Sequence, residues 1–158
     1  MKLDVGSGDR PSGDVNCDTF KDRTPHIRLR DNKIVVKCNF VLCDGEHLPF
    51  KDGVFSETYS SHTIEHVPNP FDFLKDMFRV TRANGTVLVK CPHRFSRNAK
   101  FKPYHLNYFN SKWFKKVLDK FELTVDSTYY YPFGEYLSFF RLPDELIVKA
   151  VKKNRWRN

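Results

Sequence analysis

Hydrophobic and polar positions follow two periods along this chain, and the switches between them mark out the elements. Lys2 to Val5 is a short apolar stretch running into Gly6-Ser7-Gly8-Asp9-Arg10-Pro11, so the sequence opens on a strand followed by a turn-rich loop. Asp14 to Cys17 reads as a second strand. Too few residues separate the two for an ordinary crossover helix, which takes a dozen or more, and an abbreviated first crossover is expected. From His26 to Leu42 branched and aliphatic residues are dense, interrupted by Arg30-Asp31-Asn32-Lys33. That pattern predicts a hairpin between His26–Leu29 and Ile34–Lys37, then a buried strand over Phe40 to Cys43. A loop from Gly45 to Gly53 leads to a fourth strand, Phe55 to Ser60.

The period then changes. Asn69-Pro70 places proline at a first helical position, and Phe71, Leu74, Met77 and Phe78, with Val80 beyond, follow helical spacing up to Arg82, where Asn84-Gly85 ends the run. Thr86 to Cys91 returns to strand character and stops at Pro92. A second helix is predicted from Ser111, a candidate N-cap, to Lys120, with Trp113, Phe114, Val117, Leu118 and Phe121 on one side. Glu122 to Tyr131 and Glu145 to Lys152 close the chain as strands. Alternating strands and helices predict an α/β sheet in a single domain over residues 1–153, followed by a basic tail at 154–158.

Composition narrows this picture. Among 158 residues, 40% are hydrophobic and 29% charged, inside the globular range. No apolar run approaches the ~18 residues of a membrane span, and the start, MKLDVGSGDR, lacks the apolar core of a signal peptide. The expected location is cytoplasmic, away from membranes. Cys17, Cys38, Cys43 and Cys91 show no CxxC spacing and lie in or beside apolar runs, as structural thiols do. The net charge of +8 points to an acidic or polyanionic partner.

Candidate chemistry begins at Leu3-Asp4-Val5-Gly6-Ser7-Gly8, where a GxG turn lets a ligand approach the backbone. A dinucleotide fingerprint would need a third glycine where Pro11 stands, so a ligand without phosphates fits better. Asp18 follows the second strand, where doubly wound sheets place an acidic side chain for ribose hydroxyls. Asp44 follows the third strand and continues as Gly45-Glu46-His47-Leu48-Pro49-Phe50. Phe55, Ser60-Ser61-His62, Ile64-Glu65-His66, Asn69-Pro70, Arg79-Val80 and Asn84-Gly85-Thr86 come next in order.

As an ordered set these motifs resemble the class I S-adenosylmethionine-dependent methyltransferases, in the broad methyltransferase type 11-like group, over roughly Lys2 to Pro92. The resemblance implies a Rossmann-like, mostly parallel sheet with flanking helices and a reversed last strand. It implies S-adenosylmethionine as cofactor, with Asp4, Gly6, Ser7 and Gly8 at its methionine end, Asp18 at the ribose, and Asp44 with Gly45 or Glu46 at the adenine. Ser60, Ser61 and His62 would line the methyl-transfer site. His62 is the first candidate base, followed by His66, His93 and His105. The family's lid segment before the first strand has no counterpart here, so an open site, or one completed in a homodimer, is expected. Size and character also resemble short methyltransferase-like proteins of archaeal viruses, which would place the chain in a host-cell cytoplasm.

His62-Thr63-Ile64-Glu65-His66 also matches HxxEH, the inverted zinc-protease motif, which needs a helix through all five residues. Ser60, Thr63 and Pro68 predict a strand end and a turn instead, and no metal is expected. Finally, the segment from Arg94 to His105 interleaves cations with aromatic rings, as single-stranded nucleic-acid sites do. Arg94, Arg97, Lys100 and Lys102 are expected to guide an anionic acceptor, nucleic acid among the candidates. The competing reading is a degenerate domain that binds nucleic acid or a partner without catalysis.

Overall fold

A computed structural model describes residues 1–19, 39–96, 99, 102–119, 121–130 and 142–153. Among the described residues seven strands form one sheet: β1 (Lys2–Val5), β2 (Val15–Asp18), β3 (Phe40–Leu42), β4 (Phe55–Ser61), β5 (Thr81–Pro92), β6 (Glu122–Tyr130) and β7 (Leu142–Val151). Their order is β3-β2-β1-β4-β5-β7-β6. β3 to β5 pair in parallel, and β7 is the reversed strand, antiparallel to both β5 and β6. The expected reversal at the chain's end is therefore present, inserted between β5 and β6 rather than at the sheet's rim. The predicted hairpin over His26–Lys37, Cys38 and the 154–158 tail lie outside the described residues.

The first crossover has no helix. Residues 6–14 carry the chain from β1 to its parallel neighbour β2, and side chains replace the missing helical bonds. Asp4 Oδ2 accepts from both the Ser12 amide and its hydroxyl at 2.8 Å. Asp14 closes the far end, its carboxylate on the Lys2 amide at 2.7 Å. Gly13 makes the return possible, because a Cβ there would stand 2.4 Å from the Val15 carbonyl oxygen.

Helix α1 (Pro70–Val80) starts at Asn69, whose side chain accepts from the Phe71 and Asp72 amides. It ends two residues before the predicted Arg82, because Thr81 already pairs with Phe55 in the sheet. The Thr81 hydroxyl donates back to the Met77 carbonyl at 2.7 Å, closing the helix. Strand β5 thus starts earlier than Thr86. Helix α2 (Ser111–Val117) is capped by Asn110 rather than Ser111, the Asn110 side chain accepting from the Trp113 amide, and it stops short of Lys120 at Leu118.

Leu3 and Val5, then Val87, Val89 and Cys91, then Leu146, Val148 and Ala150 alternate onto one sheet face. Phe73, Leu74, Met77 and Phe78 of α1 and Phe114 of α2 cover that face in one cluster. Arg79, at the end of α1, fastens the loop that precedes β4. Its guanidinium donates to both Asp76 oxygens, to Asp52 and to the Phe50 and Leu48 carbonyls, all within 2.9 Å. Those bonds hold the Arg79 guanidinium in its charged form more firmly than usual, Asp76 being the main cause. They also explain why Leu48-Pro49-Phe50 and Arg79-Val80 travel together in the sequence.

Candidate active site

A cleft of about 950 Å³ opens at the carboxyl ends of β1, β2 and β4, beside the point where strand order reverses between β1 and β4. Open α/β sheets bind ligands at such a switch, and the size suits a small-molecule site. One wall is the β1–β2 loop. Gly6 adopts φ +73°, and a Cβ on it would lie 2.1 Å from Thr63 Oγ1, so only glycine lets the loop pack against the turn after β4. The Gly6 and Ser7 amides donate to the Cys17 carbonyl, and the Gly8 amide to Asp18 Oδ2 at 2.9 Å. All three loop amides therefore point into the protein and offer nothing to a phosphate.

Asp4 and Asp18 are buried in this wall. Burial raises the Asp4 pKa above the ordinary carboxylate value, partly offset by the two bonds from Ser12. Ser7 Oγ is buried there with no hydrogen-bond partner among the described residues. On the opposite side Asp44 Oδ1 accepts from the Glu46 amide at 2.9 Å, turning the chain so that Gly45 also lines the cleft.

Of the residues singled out from the sequence, the cleft brings together Asp4, Gly6, Ser7 and Gly8, then Asp18, Asp44 and Gly45, then Ser61, His62 and His66. Ser60 is not among them. It is fully buried because successive strand residues face opposite ways, and Ser61 and Tyr59 take the cleft side. Glu46 is not a lining residue either, its carboxylate being engaged by the Asn69 amide at 2.8 Å. His93 is carried away by the extension of β5 to Pro92. Its amide bonds the Asp144 carbonyl, its Nδ1 accepts from the Phe95 amide at 3.2 Å, and burial lowers its pKa. His105 stands behind His66, edge-on, with ring centroids 4.8 Å apart. Tyr59, Thr63 and Phe73 line the cleft and were missed, although the alternation that selects Ser61 also selects Tyr59.

His62, directly after β4, adopts the left-handed region, φ 54°, a conformation unusual for a histidine. Its Nε2 lies 2.8 Å from Glu145 Oε1 and its Nδ1 3.4 Å from Glu65 Oε1. Glu65 and then Glu145 raise its pKa against the opposing effect of burial. Held between two carboxylates, the ring has its charged form favoured relative to a free imidazole. The five residues His62 to His66 form a turn and not a helix, which removes the geometry of the zinc-protease motif.

Cys17 and Cys43, on neighbouring strand ends, share a hydrogen bond at the cleft floor that pushes the Cys17 thiol up and the Cys43 thiol down. Cys17, Cys43 and Cys91 are all free thiols. Arg94 is exposed with its guanidinium 5.3 Å from the Phe95 ring, and Lys102 is exposed too; neither lines the cleft. Arg97 and Lys100 lie outside the described residues. Among the described residues no helix is long and apolar enough to cross a membrane.

Comparison with known proteins agrees with this geometry. The profile of a family described as "Methyltransferase domain" matches residues 15–89. A ubiquinone/menaquinone biosynthesis C-methyltransferase of Xylella fastidiosa is 27% identical over 120 residues, 75% of this chain and 41% of that protein. The same enzyme of Vibrio campbellii is 37% identical over 62 residues, 39% of this chain and 24% of that one. The chain thus spans about two-fifths of the length of the first of these curated relatives. Among solved structures, a SAM-dependent methyltransferase of Thermotoga maritima, described as a possible histamine N-methyltransferase, superposes with TM-score 0.66 at 19% identity, covering 96% of this chain and 82% of that one. A phosphoethanolamine N-methyltransferase of Haemonchus contortus, solved with S-adenosyl-L-methionine, gives TM-score 0.67 at 13% identity over 96% of this chain and 48% of that one. Both likenesses establish the fold. The two curated relatives are bacterial and lend nothing to a viral source.

Proposed function

Because this chain belongs to the class I S-adenosylmethionine-dependent methyltransferases, we propose that its cleft binds S-adenosylmethionine and that its methyl group is passed to an acceptor entering past His62 and His66. The observation that carries this reading is electrostatic. A chain of net charge +8 lines its cleft with Asp4, Asp9, Asp18 and Asp44, against Arg10, and turns the loop amides of Gly6, Ser7 and Gly8 inward. Such a site repels phosphates and suits a ligand that carries positive charge and bears hydroxyls.

When bound, the cofactor supplies a methyl group already made electrophilic by its sulfonium. The chain's own residues do the rest. Asp4 and Ser7 would hold the amino-acid end, Asp18 the ribose and Asp44 with Gly45 the adenine. Asp18 is already oriented by the Gly8 amide, and the Gly8 wall has no side chain to obstruct approach. Ser61, Tyr59 and the His62 ring shape the acceptor's entrance and align it, the main catalytic task when the donor is already activated.

For the acceptor, the exposed Arg94 and Lys102 and the exposed rings of Phe95, Tyr104 and Tyr108 support an anionic partner, nucleic acid first. The segment that carries them follows β5 and so emerges at the cleft's edge of the sheet. Cytoplasmic action and a homodimer that completes the cleft belong to the same reading.

Calorimetry with S-adenosylmethionine and S-adenosylhomocysteine tests the cofactor. Binding at a hundredfold excess over Kd should stabilise the fold by about 2.7 kcal/mol. Absence of both heat and thermal shift at millimolar ligand favours the degenerate binding module. Label transferred from methyl-labelled donor into fractionated nucleic acid, protein or small-molecule pools identifies the acceptor. Transfer into the small-molecule pool alone removes the nucleic-acid reading.

A further inference from the structure

The Glu65 side chain is buried, 1% exposed, and neither carboxylate oxygen has a hydrogen-bond partner. A buried carboxylate with no hydrogen-bond donor is costly to hold in that state, and a bound cation would supply the missing partner. Two ring nitrogens face it, His62 Nδ1 at 3.4 Å and His66 Nε2 at 3.9 Å, neither in hydrogen-bonding geometry, and His62 is shared with Glu145 at 2.8 Å. Glu65 is kept in place by its backbone. Its carbonyl accepts from the Leu106 and Asn107 amides at 2.8 and 3.1 Å, and Asn107 Nδ2 donates to the Val67 carbonyl at 2.7 Å. These bonds tie the turn after β4 to the segment carrying His105, and bring two imidazoles to one carboxylate.

The two rings are disposed as ligands are. His66 Nδ1 lies 2.9 Å from the Tyr104 carbonyl, which can only accept, so Nδ1 carries the proton and Nε2 is the nitrogen turned toward Glu65. Metal-binding histidines are held in this way, one N–H on a carbonyl and the other nitrogen on the ion. His105 Nδ1 is buried without a hydrogen-bond partner. One ligand atom from each of Glu65, His66 and His105 lies within 4.8 Å of the others. Donors about 2.1 Å from a common tetrahedral ion stand about 3.4 Å apart, so closing on an ion needs side-chain movements on the order of an ångström.

We propose that Glu65, His66 and His105 form a site for a divalent first-row transition ion, of the zinc type that two imidazoles and one carboxylate favour, at the acceptor end of the cleft. This differs from the HxxEH pattern, since His62 is not a ligand and the third donor comes from a segment beyond β5. It also replaces the expectation of no metal. Three protein ligands leave a position open, and His66 lines the cleft, so an acceptor hydroxyl or carboxylate oxygen would complete the coordination. That last role rests on the methyltransferase reading; the site itself does not.

The test is titration of the full, chelator-stripped chain with Zn²⁺ and with Co²⁺, by calorimetry and by the absorption of bound cobalt, beside Glu65→Gln and His105→Ala. The wild type should bind a single equivalent with the spectrum of a low-coordinate nitrogen–oxygen site, and each substitution should weaken binding at least tenfold. Glu65→Gln should also lose the metal-dependent rise in melting temperature that the wild type shows, whereas replacing a merely structural glutamate would leave that rise in place. No binding by the wild type, or equal binding in all three chains, overturns the site. S-adenosylhomocysteine binding measured on the metal-free chain separates the two readings. Product binding without metal binding sinks the site alone, and metal binding without product binding sinks the function alone.

Discussion

Gly6 and Gly8 offer a controlled comparison of backbone strain against steric overlap. Both have positive φ, +73° and +52°, but a Cβ on Gly8 would meet nothing within 4 Å, whereas on Gly6 it would stand 2.1, 2.4 and 2.8 Å from the Oγ1, Cγ2 and Cβ of Thr63. An alanine in the left-handed region costs roughly 1–2 kcal/mol. Overpacking a closed contact adds roughly 1–3 kcal/mol. Gly8→Ala should therefore cost about 1–2 kcal/mol and Gly6→Ala about 2–5 kcal/mol, the latter a large share of a typical domain's stability. Urea unfolding of both variants measures this directly. Adding Thr63→Gly to Gly6→Ala should return the steric part and leave the strain. Thr63→Gly alone should cost little, because its hydroxyl bonds to the Gly6 and Ser61 carbonyls are long, 3.4 and 3.3 Å. Equal costs for the two alanine variants, or no recovery in the double variant, would refute the packing argument. Gly8→Ala should keep the fold yet weaken S-adenosylhomocysteine binding, since its methyl group enters the cleft.

Three further outcomes are expected. Burial raises the Asp4 pKa in the folded chain above its unfolded value, near 3.8, so its favourable contribution is full below the unfolded pKa and lost as pH rises through the folded one. Asp4→Asn, which can still accept from Ser12, should melt at or above the wild type at pH 7, with the difference shrinking toward pH 4, while cofactor binding weakens. Arg79→Met removes the guanidinium bonds to Leu48, Phe50 and Asp52 while leaving the Leu48 amide on Asp76, and should lower stability by about 1–3 kcal/mol in thermal melts, the partial exposure of the guanidinium limiting the loss. Because the Thr81 hydroxyl donates to Met77, Thr58 must donate to Thr81 across their 2.9 Å contact. Thr81→Val leaves the Thr58 hydroxyl without its acceptor, although the Met77 carbonyl keeps the Thr81 amide, and should cost more than Thr58→Val, which leaves the Thr81 hydroxyl its bond to Met77, by about 1 kcal/mol in denaturant.

Much of the sheet was legible because its strands are short, apolar and bounded by turn residues, and because the interval between β1 and β2 is too short for a helix whatever the tertiary context. Element ends were less legible for reasons that lie in pairing. Nothing local in Val80-Thr81-Arg82 stops a helix; Thr81 leaves it because Phe55, far back in the chain, pairs there. Asn110 and Ser111 are both good N-caps in isolation, and the choice between them is made by which side chain reaches the Trp113 amide. Ser60 and Ser61 show the sharpest limit. A motif delivers the pair, but one residue of register turns one of them into the core and the other into the cleft.

The charge of the site was hidden by the charge of the chain. Summed over the sequence, +8 argues for an anionic partner, yet the charged side chains lining the cleft are aspartates, Asp4, Asp9, Asp18 and Asp44, against Arg10, brought together from strand ends that no local window contains. The basic residues that dominate the sum stand elsewhere, Arg94 and Lys102 among them on the segment after β5. The same topology brings Glu65 against His105. β5 starts at the opposite edge and is parallel to β4, so it ends at the edge where His62 and Glu65 lie, and the segment after it hydrogen-bonds to the Glu65 backbone. Sequence spacing orders His66 and His105 along the chain; only the parallel pairing of β4 with β5 makes them neighbours. A cation drawn to the buried Glu65 carboxylate and an anion drawn to Arg94 and Lys102 would then meet at one opening, with the acid-lined cleft behind them.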